Sequence, residues 1–169
     1  GVKKNKISII PNTTDIDKSP KKGIFRNLLN IPKSEKIIMY LGRIDEKKGV
    51  GVLIEAFVQI KITKIHLVII GPDFDFKKKA EDMVKKFGIE DHVHFIGLLD
   101  NIKKYEAFAD ADIVVCPSLY EAGISAVILE AASIAKPLII SDHIGFSEEA
   151  KKFNAALTCK PNDKQELQK

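Results

Sequence analysis

Abundant cysteine, long apolar runs and concentrated charge are all missing from this chain. Two cysteines among 169 residues, Cys116 at the end of an apolar run and Cys159 near the C-terminus, make neither a disulfide framework nor a metal cluster, and they fit a reducing compartment. No apolar stretch approaches the roughly 18 residues of a membrane span, and no signal-peptide pattern opens the chain. Lysine and arginine number 27 against 23 aspartate and glutamate, a net charge of +4. The excess is spread out. The runs Lys77-Lys78-Lys79 and Lys85-Lys86 fall on the wet face of one expected helix, whereas a nucleic-acid binder of this size clusters its charge. No nucleic-acid partner is expected. Also missing are G-x-G-x-x-G, G-x-x-x-x-G-K-[ST] and G-x-S-x-G, which argues against a dinucleotide dehydrogenase, a P-loop NTPase and a nucleophile elbow. Ser118 and Ser125 have no histidine near them in sequence.

What is present is a rhythm of apolar strands and amphipathic helices, in a composition ordinary for a globular domain and a length sufficient for one core. Strands are expected at Ile7–Ile10, Lys36–Gly42, Ile65–Gly71, His92–Gly97, Ile113–Cys116, Pro137–Ser141 and Ala155–Cys159. The longest of them are near-continuously apolar, as parallel strands covered on both faces are. Helices are expected over Phe25–Asn30, Val50–Ile62, Phe76–Phe87 with Gly88 as C-cap, Asn101–Ala109, and from Val127 through Glu130, with a helical turn at Phe146–Lys152 and a last helix capped by Pro161-Asn162-Asp163. The alternation predicts a doubly wound, Rossmann-like α/β domain of about six parallel strands, with ligands outside the C-terminal strand ends. The abrupt start at Gly1-Val-Lys-Lys reads as one domain of a larger protein, with residues 1–20 an interdomain strand and linker and 21–169 the domain itself.

Residues 111–145 organise the rest: a buried strand, a turn at Pro117, a loop with Glu121 and Gly123, a helix through Glu130 and a second buried strand, one β-α-β unit. Glu130 stands in a segment, Val127 to Ala135, that is apolar nearly all round and is therefore expected to be buried. A buried ionised glutamate needs a partner: an internal salt bridge, a capping contact or a ligand. Just before the helix, a turn at Gly123 with Ile124 and Ser125 would present free amides at a helix N-terminus, a place that holds phosphate. Earlier in the chain, Arg43 and Lys48 project from the loop after Lys36–Gly42; a planar fork and a point charge suit a diphosphate. His92 and His94 share one face at period 2, but no further metal ligands are apparent and a place on the rim is expected. Asp15/Asp17, Asp73/Asp75 and Asp110/Asp112 each match D-x-D, without a strand end beside a phosphate loop, so no metal is expected.

Pro117-Ser118, Glu121 and Gly123, the helix with Leu129-Glu130-Ala131, Lys136-Pro-Leu-Ile-Ile-Ser-Asp142 with Gly145, and the G-R-x-x-x-x-K-G run from Gly42 to Gly49 together resemble retaining glycosyltransferases of the GT-B fold, over nearly the whole chain. The resemblance implies that Gly42, Arg43 and Lys48 hold the diphosphate of the donor together with Gly123, Ile124 and Ser125. It implies further that Glu130 binds the ribose, that Glu121 is catalytic beside the transferred sugar, and that the backbone of Gly97 and Leu98 lies along the nucleobase. Three departures are visible: eight residues, not seven, separate the two glutamates, Gly123 stands alone where the family has Phe-Gly, and Thr13 replaces a glycine after Pro11-Asn12.

The function so implied is donor binding in a metal-independent transferase that moves a sugar from a nucleoside-diphosphate sugar with retention, without cofactor. A glycan or lipid-linked acceptor would be met through an N-terminal domain outside this chain. The expected location is cytoplasmic; contact of the whole protein with the inner membrane face would not run through this domain. Two other readings stay open, a non-catalytic nucleotide-sugar sensor and a GT-B nucleotide-sugar epimerase.

Overall fold

The structure, a computed structural model, describes residues 6, 8, 12–14, 20–60, 63–121, 123 and 125–169. The expected strand at Ile7–Ile10, apart from Ser8, the Asp15/Asp17 triplet and Ile124 lie outside the described residues. Six strands form one sheet: β1 (Lys36–Leu41), β2 (Ile65–Ile70), β3 (Val93–Ile96), β4 (Ile113–Cys116), β5 (Leu138–Ser141) and β6 (Leu157–Cys159). Their order is β3-β2-β1-β4-β5-β6 and every neighbouring pair is parallel. The chain thus winds outward from β1 to β3, returns to the centre at β4 and winds outward the other way. The reversal leaves a crevice between the C-terminal ends of β1 and β4, the place where open α/β sheets take their ligands.

Burial on both faces follows from the period of two along each strand. Ile37 and Met39 of β1, Val68 and Ile70 of β2, and Val114 and Cys116 of β4 enter one core. That core is covered by α1 (Ile24–Leu28), α4 (Asn101–Asp110), α5 (Ala126–Ser133) and α6 (Ser147–Lys152) through Phe25, Phe108, Ile128 and Ala150. The alternate residues, Tyr40, Leu67, Ile69 and Val115, enter a second core under α2 (Val50–Phe57), α3 (Lys77–Phe87) and α7 (Lys164–Leu167). This is the doubly wound architecture expected from the sequence.

Two expectations need correcting. Helix α2 stops at Phe57, well short of Ile62. The amides of Gln59 and Ile60 turn back to carbonyls three residues earlier, and the β-branched Val58 and Ile60 favour leaving the helix. Helix α5 is not buried all round: only Ile128 and Ala131 are buried, while Ala126 and Ala132 face outward. Those alanines reflect helix propensity rather than burial, so Glu130 sits at the edge of the core and not inside it.

The N-terminal edge of the sheet carries structural charges. Asp110, 1% exposed, accepts from the amides of Gly23 and Arg26 at the start of α1, while the Arg26 guanidinium donates to the carbonyls of Pro32 and Glu35. Asp112 accepts from the amide of Ile37 and from Lys36 Nζ. At the other edge, after β2, Asp73 accepts from the amides of Phe76 and Lys77 at the start of α3. Both described D-x-D triplets are therefore built into turns and helix ends.

The N-terminal edge also holds a histidine cluster that sequence spacing only half revealed. His92 closes a short 3-10 turn, Glu90–His92, and His94 lies in β3; both rings flank buried His66 of β2, with centroids 5.3 and 5.1 Å away. His66 Nδ1 and His94 Nε2 share a hydrogen bond of 3.0 Å, and His66 Nε2 lies 2.6 Å from Glu35 Oε2. Burial, with His66 and then His92 adding to it, holds His94 below the ordinary histidine range.

Candidate functional site

The site is assembled from the segments that follow the C-terminal ends of β1, β2, β3, β4 and β5. Two glycines let the loops approach. Gly49, at φ 74°, opens α2, and a Cβ there would lie 2.0 Å from the carbonyl oxygen of Pro117. Gly71, at φ 144°, ends β2, and a Cβ would lie 1.9 Å from the Gly42 carbonyl oxygen. Only glycine permits such contacts of backbone on backbone. The Lys47 carbonyl then accepts from the amides of Leu119 and Tyr120 at 2.8 and 3.3 Å, which ties the loop after β4 to the loop after β1.

Arg43 follows directly. Its carbonyl accepts from Tyr40 Oη at 2.6 Å, a buried hydroxyl whose pKa burial pushes well up, so it acts as a fixed donor. The Arg43 guanidinium is 51% exposed, stacks over Phe74 at 4.8 Å and lies 4.0 Å from Asp45. Lys48 is turned inward: its Nζ meets Glu121 Oε2 at 2.7 Å, with side chains 19% and 18% exposed. Ser118 Oγ donates to the same carboxylate oxygen at 2.9 Å, and the Glu121 amide donates to His143 Nε2 at 3.2 Å. Cys116, beneath this group, has its thiol pushed up to about 12 by burial, with the Glu121 charge adding and Lys48 opposing. It is no nucleophile at neutral pH.

The second glutamate has a similar arrangement. Glu130 Oε1 accepts from Lys104 Nζ of α4 at 2.8 Å, with side chains 15% and 19% exposed. Of the partners open to Glu130 from sequence, the internal salt bridge is the one present. Between this pair and Arg43 lies a cavity of about 340 Å³ that brings together Gly42, Arg43, Leu98, Asn101, Lys104 and Glu130. Lys48 and Glu121 are not among its lining residues; they stand around the Pro117 turn.

Gly123 is exposed, and a Cβ there would meet nothing within 4 Å among the described residues. Ser125 is the N-cap of α5 and makes no side-chain cap, so it leaves the first-turn amides to other acceptors. Leu98 lines the cavity at 81% exposure, whereas Gly97 does not line it. Sequence reasoning missed Tyr40, Lys104 and His143. Lys104 carried no signal because its partner lies 26 positions away on another helix, and His143 none because it meets a main-chain amide.

Residues 21–169 match the family Glycosyl transferases group 1. An uncharacterized glycosyltransferase of Methanocaldococcus jannaschii is 30% identical over 124 residues, covering 73% of this chain and 32% of that protein. Sucrose-phosphate synthase from Thermosynechococcus elongatus superposes with a TM-score of 0.75 at 28% identity, over 85% of this chain and 37% of that one. Anabaena HepE, solved in complex with UDP-glucose, superposes with a TM-score of 0.77 at 24% identity, over 85% of this chain and 39% of its own. The chain spans 32–40% of the length of the first three curated relatives. On its family match and its sheet order, the chain belongs to the group 1 glycosyl transferases and is a C-terminal domain of the GT-B type.

Proposed function

We propose that this chain binds the nucleoside-diphosphate sugar donor of a retaining glycosyltransferase that works without a metal ion. The observation that carries this reading is the cavity lined by Arg43 and the Lys104–Glu130 pair, with the Lys48–Glu121 pair at the adjoining Pro117 turn. Glu130 takes the ribose hydroxyls through Oε2, which has no partner among the described residues, while Oε1 keeps its contact with Lys104. Arg43, Lys48 and the first amides of α5 take the diphosphate, and because they are in place beforehand they stabilise the charge that develops on the leaving group. Glu121, held between Lys48 and Ser118, faces the sugar being transferred. Leu98 packs along the base. The UDP-glucose seen in the Anabaena structure supports a nucleotide sugar as the ligand class. The acceptor, a glycan or a lipid-linked sugar, is met through the remainder of a longer, cytoplasmic protein, a reading supported in its length by the size of the relatives.

Calorimetric titration of this chain with UDP, GDP and ADP in the presence of EDTA tests the reading. One nucleotide should bind saturably and lose affinity on both Glu130→Ala and Arg43→Ala. Binding that survives both substitutions would reject the site, and binding that appears only with added divalent cation would reject metal independence.

A further inference from the structure

We propose that Lys104 completes the ribose site: with Glu130 it forms a donor–acceptor clamp that makes this chain select ribonucleotides over deoxyribonucleotides. The inference rests on the donor-site reading above and adds to it a residue from a helix that reading did not use.

Lys104 reaches the cavity from the first turn of α4, where Asp100 caps the helix by accepting from the Lys103 amide. Its Nζ lies 2.8 Å from Glu130 Oε1 and 5.1 Å from the centroid of the Tyr105 ring. An ammonium has three donors, and the contact with Glu130 uses one. Both side chains line the cavity together with Leu98 and Asn101, and each is less than one-fifth exposed. A hydroxyl is the complementary ligand. It donates one proton and accepts at its lone pairs, so one ribose oxygen can donate to the free Glu130 Oε2 and accept from Lys104 Nζ while the ion pair stays intact. Hydrogen bonds to charged groups are the stronger kind, and a ligand without the hydroxyl leaves a half-buried donor and a half-buried acceptor facing a gap.

A merely structural lysine would behave differently. If Lys104 only balanced the charge of Glu130, removing it from a Glu130→Gln chain, which has no charge there to balance, would leave the ratio of ribose to deoxyribose affinity untouched. The clamp predicts that the ratio itself moves.

The experiment is calorimetric titration of this chain with the nucleoside diphosphate it binds and with the 2′-deoxy and 3′-deoxy forms, on the native chain, Lys104→Met, Lys104→Arg, Lys103→Met, and Glu130→Gln with and without Lys104→Met. In the Glu130→Gln pair the ratio should still move when Lys104 is removed, and an equal ratio in the two would overturn the clamp. The native chain should bind the ribonucleotide at least about tenfold more tightly than one deoxy form, which is about 1.4 kcal/mol. Lys104→Met should bring that ratio toward one, Lys104→Arg should keep most of it, and Lys103→Met, on an exposed neighbour, should leave it as it was. A Lys104→Met chain that melts cooperatively and keeps the native ratio would overturn the clamp and leave the donor site standing. A native chain that binds none of UDP, GDP and ADP would overturn both.

Discussion

Lys48 and Glu121, 73 positions apart in sequence, meet at 2.7 Å and join the loop after β1 to the loop after β4. In the proposed function the same ammonium must serve the diphosphate, so donor binding shares it between two anions. Lys48→Met should therefore weaken a nucleoside diphosphate by about tenfold or more, the scale of one lost charge-assisted contact, while changing affinity for the matching monophosphate much less. Titration with the two ligands reads the difference, and equal losses would mean that the lysine serves the loop and not the ligand.

Gly49 cannot be replaced cheaply. Its φ of 74° and the 2.0 Å approach of a Cβ to the Pro117 carbonyl oxygen add left-handed strain of about 1–2 kcal/mol to a clash with main chain. Gly49→Ala should lower the denaturation midpoint and weaken nucleotide binding together, because the displaced segment carries both Lys48 and the support of Glu121. Gly123→Ala, where a Cβ meets nothing within 4 Å among the described residues, should leave stability unchanged; chemical denaturation of the two variants side by side decides.

Acid should loosen the edge of the sheet away from the site. His94 is held below its ordinary pKa of 6.5 by burial and by His66 and His92, so the folded chain binds this proton less readily than the unfolded chain does. The contribution is intact above pH 6.5, falls as pH drops below that value, and is fully lost once pH lies below the folded pKa. The other titratable groups on the cluster are Glu35, His66 and His92. Stability measured across this window should slope upward with pH, and His94→Gln should flatten the slope; an unchanged slope would place the titration elsewhere.

Asp110 tests whether stability and binding are separate. It is buried against Arg26 and the start of α1, and removing one partner of such a pair costs about 3 kcal/mol or more. Asp110→Ala should lower the melting temperature by many degrees, yet the folded fraction should bind nucleotide with native affinity, since Asp110 lies at the opposite end of the strands.

The fold was legible because its signal is local. The six described strands and most helices can be read from apolar runs and turn residues, and the parallel order follows from their alternation. The pairing of charges was not legible. Nothing near Glu130 in sequence points to Lys104, and nothing near His94 points to His66 or Glu35, because these contacts are made by the sheet and not by the chain's own neighbours. The helix at Glu130 misled in a different way: alanines that look apolar in a sequence can face water.

The tie between Lys47 and the amides of Leu119 and Tyr120 has an implication for where this domain can vary. From Pro117 to Glu121 the chain is anchored to the loop before α2, and from Ala126 onward it is committed to a helix. With eight residues between them, Glu121 and Glu130 each still meet a lysine, Lys48 and Lys104, so the distance in sequence between the glutamates is the wrong ruler, and each is better counted from its own anchor.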